Sequence, residues 1–261
     1  MTLSNPTSAD GDSPVRSEIR EEVERLTLAA VASGLPLRLM GGTAVWLVSP
    51  TVRRAPLARE YRDLDFAAAS KGGRAAIKAF FEAQGYVPEK LFNALHGAQR
   101  LNYAAPDGRW TIDVVFDELN MSHRIDLRGR LNGGKPTIDL ADLLLTKLQI
   151  WEINRKDLGD ALGLLCDHPL ADGRDNAIDL RRIRELTSAD WGLCHTVERN
   201  LRRVRELWTE LAMTDTPLDG DRQATELLAA IDAAPKSLAW KTRSRLGERV
   251  RWYQTPEEVR H

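Results

Sequence analysis

A chain of 261 residues has room for one large domain or two smaller ones with real cores, and 43% hydrophobic and 29% charged residues set it apart from disordered and fibrous sequences. The formal net charge of −1 excludes a global field that recruits nucleic acid, so any basic surface must be local. Two cysteines, Cys166 and Cys194, give no disulfide framework and fit a reducing, cytoplasmic setting, and no run approaches the ~18 apolar residues of a membrane span.

Residues 1–14 are polar, without the basic start and apolar core of a signal peptide, and are expected to form a disordered tail. From Val15 to Ser33, Ile19, Val23, Leu26 and Ala30 recur at helical spacing until Gly34-Leu35-Pro36 stops the pattern. "LRLM" predicts a buried strand running into Gly41-Gly42, and "TAVWLVS" a short apolar helix halted by Pro50. "YRDLDFAAA" alternates as a strand, and "RAAIKAFFEAQG" is an amphipathic helix with a glycine stop. "AQRLNYAAPDGRWTIDVVF" predicts two strands around a Pro-Asp-Gly turn. After Pro136 the texture turns helical, through "DLADLLLTKLQIW", "RKDLGDALGLL" and nearly everything from Asp179 on. Val197, Leu201, Val204, Trp208 and Leu211 share one helix face there, with the arginines at 199, 202, 203 and 205 mainly opposite, as a solvated face paired to glutamates. The expectation is an α/β head with a mixed sheet over 15–135 and a helical C-terminal domain over 136–261.

Strand alternation puts Asp63 and Asp65 on one face and Leu64 and Phe66 on the other. Two carboxylates side by side repel, and a fold that keeps them invites a cation. Magnesium is the natural candidate, since it takes carboxylate oxygens and completes its shell with water and substrate phosphates. Asp113 repeats the arrangement in "TIDVVF". If its strand lies beside the first, three carboxylates converge, a ligand set suited to two ions about 3.5–4 Å apart. Gly41-Gly42, followed by a helix starting near Thr43, would let backbone N–H groups approach an anion, such as the phosphates of a nucleoside triphosphate. Each feature alone also has a plain reading: a glycine pair makes any tight turn, and Asp-x-Asp suits a solvated edge. Cys166, His168, Cys194 and His195 lack the spacing of zinc ligands.

"LMGGTAV", "REYRDLDF" and "TIDVVF" resemble, in that order, the core motifs of the polymerase-β-like nucleotidyltransferase superfamily. "DLADLLLTKLQIWEINRKDLGDALGLL" is similar to the downstream segment of its AbiEii-type members, and the likeness runs over about residues 35 to 166. It implies a small mixed-sheet nucleotidyltransferase head. Gly41, Gly42 and Thr43 would take the nucleotide-binding turn, and Asp63, Asp65 and Asp113 the metal positions, with Asp113 catalytic as well. Lys147 would be the downstream catalytic and nucleotide-binding lysine and Asp157 the downstream catalytic aspartate. Arg59 is a further phosphate candidate. The resemblance implies Mg²⁺-dependent transfer of a nucleoside monophosphate from an NTP to a hydroxyl acceptor. AbiEii relatives include toxins with cognate antitoxin proteins and enzymes that modify transfer RNA ends. This chain departs from the pattern at Gly42, often serine, at Tyr61, often a small hydroxyl residue, and at Ile150 and Asn154, where alanine and arginine are usual. A small-molecule (antibiotic) nucleotidyltransferase and a non-catalytic nucleotide-binding or interaction module are the alternatives.

Overall fold

The computed structural model of the protein describes residues 14–71, 73–132 and 134–255. The tail expected over residues 1–14 falls, but for Pro14, outside the described residues. Helix α1 (Pro14–Ala32) buries Ile19, Val23, Leu26 and Ala30, the stripe its spacing predicts, and packs on strand β1 (Leu37–Met40), all four of whose residues are buried. Helix α2 (Gly41–Val48) leaves the end of β1 without an intervening loop. Then come β2 (Asp63–Ala68), α3 (Arg74–Ala83), β3 (Val87–Pro88), α4 (Lys90–His96), β4 (Arg100–Ala104) and β5 (Thr111–Phe116). Strands β4 and β5 form the hairpin that the Pro-Asp-Gly turn predicts.

The five strands make one mixed sheet in the order β1-β2-β5-β4-β3, in which only β2 and β5 run parallel. Register then separates the two faces. Leu64, Phe66, Ile112, Val114, Leu101 and Tyr103 are all buried on one, where the Phe66 ring meets Phe81 of α3 edge-on at 5.5 Å. Burial of each such side chain stabilises the fold by roughly 1.5–3 kcal/mol. The opposite face carries Asp63, Asp65, Asp113, Asn102 and Arg100, so the apolar alternation that drives sheet packing also lines up the charged residues.

Next is a second hairpin, β6 (Glu118–Asn120) with β7 (Arg124–Asp126). The chain crosses from head to tail along the sheet's edge: Leu39 N donates to Pro136 O (2.9 Å) and Ile138 N to Leu39 O (3.0 Å). Helix α5 (Leu140–Leu148) is buried on all sides from Ala141 onward, including Asp142, Thr146 and Lys147, and so needs neighbours everywhere. It gets them from α2, α6 (Arg155–Asp167), α7 (Leu180–Ala189) and α8 (Trp191–Leu211). The short strands β8 (Leu170–Ala171) and β9 (Ile178–Asp179) precede α7; α9 (Gly220–Ala233) and α10 (Leu238–Ser244) close the bundle. One hydrophobic core runs from Ile19 to Ile231, unbroken at position 136.

Helix α8 buries Val197, Leu201 and Val204, with Trp208 and Leu211 half-buried. Its arginines differ from the expected solvated face. Arg202 does pair with Glu198, but Arg199 and Arg203 donate to the carbonyls of Trp151 (2.7 Å) and Ile153 (3.0 Å), and Asn200 to those of Leu148 and Ile150. Helix α5 stops at Leu148, so its trailing carbonyls need donors, and α8 supplies them. Beyond α10 the chain returns across the molecule: Trp252 packs on Trp151, Trp191 and His195, and Gln254 N donates to Ser122 O (2.9 Å). Among the described residues no helix is long and apolar enough to cross a membrane.

Candidate active site

Asp65 and Asp113 are direct register partners on the parallel strands β2 and β5, so their carboxylates stand side by side. Asp63 sits two residues up β2, exposed, and accepts a hydrogen bond from Thr111 Oγ1 (3.0 Å). The convergence is therefore of two carboxylates with a third one pleat away. Among the described residues no three His, Cys, Asp or Glu side chains are drawn into a ready-made metal cluster. Burial, then the neighbouring Asp113 charge, raises the Asp65 carboxyl from 3.8 to about 7. Arg100 of β4 grips Asp113 through Nε (2.6 and 2.8 Å) and Nη2. Asn102, its amide turned to its hydrogen-bonding orientation, donates to Asp113 Oδ1 at 3.0 Å.

The glycine turn lies against this pair. Gly41 has φ +71°, a left-handed backbone that favours glycine, and a Cβ there would overlap the Asp65 carboxylate. No side chain caps α2, because Met40 precedes it, so the helix's first amides keep no side-chain acceptor. Gly42 has a different neighbourhood: a Cβ would come within 2.5 Å of Arg59 Nη2 and 3.0 Å of the Tyr61 ring. Thr43 is buried, and its hydroxyl has no hydrogen-bond partner among the described residues. Of the three turn residues the sequence singles out, Gly41 alone lines the cleft.

Lys147 lies buried in the last turn of α5, its Nζ 2.8 Å from Asp157 Oδ1 and 3.0 Å from Asp160 Oδ2. Asp157 and Asp160 are three apart on α6 and so share a face, while Asn154 caps that helix and donates to Asp157 (2.9 Å). Burial alone would push the lysine's pKa down, but Asp160 and Asp157 outweigh it and hold the amine above the usual lysine range. Arg59, from the segment before β2, reaches Asp160 at 2.7 Å while lying over the Tyr61 ring at 3.9 Å. Burial, then the Asp160 charge, pushes the Tyr61 phenol up to about 12.

Gly41, Asp65, Asp113, Lys147 and Asp157 line one cleft of about 1150 Å³, walled by the β6–β7 segment and by Gln254 and Thr255. The donor set fits a hard divalent cation: two adjacent carboxylates and a third within one pleat. Arg100 and Asp160, which hold these residues, carry no motif of their own in the sequence. The i,i+3 spacing of Asp157 and Asp160 could have found the second; nothing local could have found the first. Cys166, His168, Cys194 and His195 go to separate places: burial lifts both thiols to about 12, His168 Nε2 faces Val48 O (3.1 Å), and His195 stacks on Trp191 (5.0 Å).

No protein-family model matches the chain, and no curated protein matches it. A solved structure, JHP933 from Helicobacter pylori, is 14% identical and covers 92% of this chain and 100% of its own, with a TM-score of 0.36.

Proposed function

We propose that the protein is a Mg²⁺-dependent nucleotidyltransferase that moves a nucleoside monophosphate from an NTP to a hydroxyl on RNA. The observation that carries this reading is the Asp65–Asp113 pair beneath the Gly41 turn, with Lys147 in the same cleft. Asp65 and Asp113, with Asp63 beside them, would hold the cation. When bound, it would polarise the reacting phosphoryl group and neutralise charge on the oxygens around it. The uncapped start of α2 offers amides to phosphate oxygens, and Gly41 lets them approach because it has no side chain. Lys147, fixed by Asp157 and Asp160, contributes positive potential toward the leaving pyrophosphate without having to reorganise.

The acceptor reading rests on the C-terminal segment. Lys241, Arg243, Arg245, Arg249 and Arg251 outnumber the single acid Glu248 in this stretch of sequence, which then delivers Gln254 and Thr255 to the cleft wall. A basic approach to the carboxylates suits a polyanionic acceptor, transfer RNA among the candidates, better than a cationic drug. A toxin role with an antitoxin partner accords with the AbiEii resemblance. Purified protein incubated with α-labelled NTPs, Mg²⁺ and total RNA should move label onto RNA, and Asp113→Asn should not. Label appearing on a small molecule instead would give the acceptor to the antibiotic-type reading; none in any fraction would remove the enzyme reading.

A further inference from the structure

Two cations, Lys147 and Arg100, line the cleft with the carboxylate pair, a third, Arg59, shares Asp160 with Lys147, and the three are held differently. Lys147 is buried between two acids, and Arg59 is fixed by Asp160 and the Tyr61 face. Arg100 has one carboxylate, Asp113, as its only side-chain hydrogen-bond partner among the described residues, and its side chain is 38% exposed in the cleft. Its register partner on β5 is Val115, so the guanidinium leans back along the strand to reach Asp113, whose own partner is Asn102. It meets Phe92 only loosely, at 5.9 Å from the ring centroid.

We infer that Arg100 is a place-holding cation that yields Asp113 to the divalent ion and is thereby freed to meet the substrate's phosphates. The inference rests on the metal reading of the proposed function. A guanidinium clamped across both oxygens of Asp113 neutralises the charge and occupies acceptor sites that an ion would use, so the two cations compete for one carboxylate. Asp65 stands beside Asp113 in register, but Arg100 hydrogen-bonds to Asp113 and not to Asp65 among the described residues, whereas a divalent ion held by the pair would serve both acids. Asn102 stays behind to orient Asp113 after the exchange. The released arm hangs in the cleft that Gly41 and Lys147 also line, a forked donor suited to phosphate oxygens.

The test is calorimetric titration of the full chain with Mn²⁺ alone, without nucleotide, for wild type, Arg100→Ala and Arg100→Lys. Removing the competitor should tighten Mn²⁺ binding by about tenfold or more in Arg100→Ala, with Arg100→Lys between, since a point charge clamps less well. The Mn²⁺-induced rise in melting temperature should grow in the same order, and Arg100→Gln serves as a second neutral variant if Arg100→Ala does not fold. Equal or weaker Mn²⁺ affinity in the neutral variants, with wild type binding measurably, overturns the competition and leaves the metal reading intact. Absence of Mn²⁺ binding in every protein, wild type and variants alike, overturns the metal reading and this inference with it.

Discussion

Asp65 is the residue at which sequence and surroundings conflict most: a carboxylate beside the Asp113 carboxylate of β5, raised to about 7 by burial and then by Asp113. A group whose folded pKa lies above its unfolded value binds more protons in the native state between the two. Its stability contribution is therefore whole below about 3.8 and lost as pH rises to about 7. Asp65→Asn, which mimics the protonated acid, should gain over wild type in metal-free buffer as pH rises. We expect a difference on the order of 4 kcal/mol near pH 8 and little near pH 4, read from denaturant melts. A pH-independent difference would mean that Asp65 titrates as an ordinary acid. Lys147 gives the opposite case. Lys147→Ala strands Asp157 and Asp160 in a buried site and should cost roughly 3–5 kcal/mol, so loss of activity in that variant would mix chemistry with unfolding. Adding Asp160→Asn should restore part of the melting temperature without activity. Recovered turnover in the double variant would deny Lys147 a role in the reaction.

At the scale of elements, the strand–turn–helix unit of β1 and α2 is where local sequence sets the site. Gly41→Ala must place an L-side chain at φ +71° and drive its Cβ into Asp65. We expect a stability loss of about 1–3 kcal/mol and a rise in the NTP dissociation constant by calorimetry. Gly42→Val, by contrast, should first displace Arg59 and Tyr61, so its effect falls on the ion-pair network before the phosphates. This unit was legible because each part has its own local signal: an apolar run, a glycine pair, then helical spacing. So was the alternation within β2 and within β5, and with it the shared face of Asp63 and Asp65; that Asp113 joins them depends on the β2–β5 pairing, which alternation does not give. The partners of these residues were not. Asp160 lies 101 positions from Arg59, and Arg100 reaches Asp113 only through the β4–β5 register. Periodicity tells which way a side chain points but not what it meets. Two- and three-residue strands such as β3, β6 and β7 are too short to show a period at all.

For the molecule as a whole, helix α5 decides whether head and tail behave as one body. Asp142 of α5 is fully buried and is held by Arg182 of α7 (2.9 Å) and by Arg130 from the segment after β7. Arg182 also donates to Asp126 O of β7 (2.6 Å). Asp142→Ala would leave two guanidinium groups without their shared acid, one of them buried, and should unfold head and tail in a single transition lowered by roughly 3–5 kcal/mol. Two separated calorimetric transitions would show that the parts melt independently. Composition pointed to the change in texture at residue 136, but the shared core depends on which apolar faces meet. A helix buried all round does not name its neighbours.

The returning C-terminal segment has a spectroscopic consequence. Trp252 touches Trp151 and Trp191 edge-on, with ring centroids 4.7 and 5.8 Å apart, and two residues later the same segment lines the cleft. Indole emission depends on contact with neighbouring rings and water, so this cluster works as a built-in optical gauge of how the segment is seated. A ligand that fills the cleft and shifts Gln254 should change tryptophan emission without any attached dye. Trp252→Phe should abolish most of that change while leaving the carboxylates untouched. If emission responds equally in wild type and Trp252→Phe, the signal comes from elsewhere and the segment does not move with the cleft. Binding to the unlabelled protein could then be followed in real time from its own light.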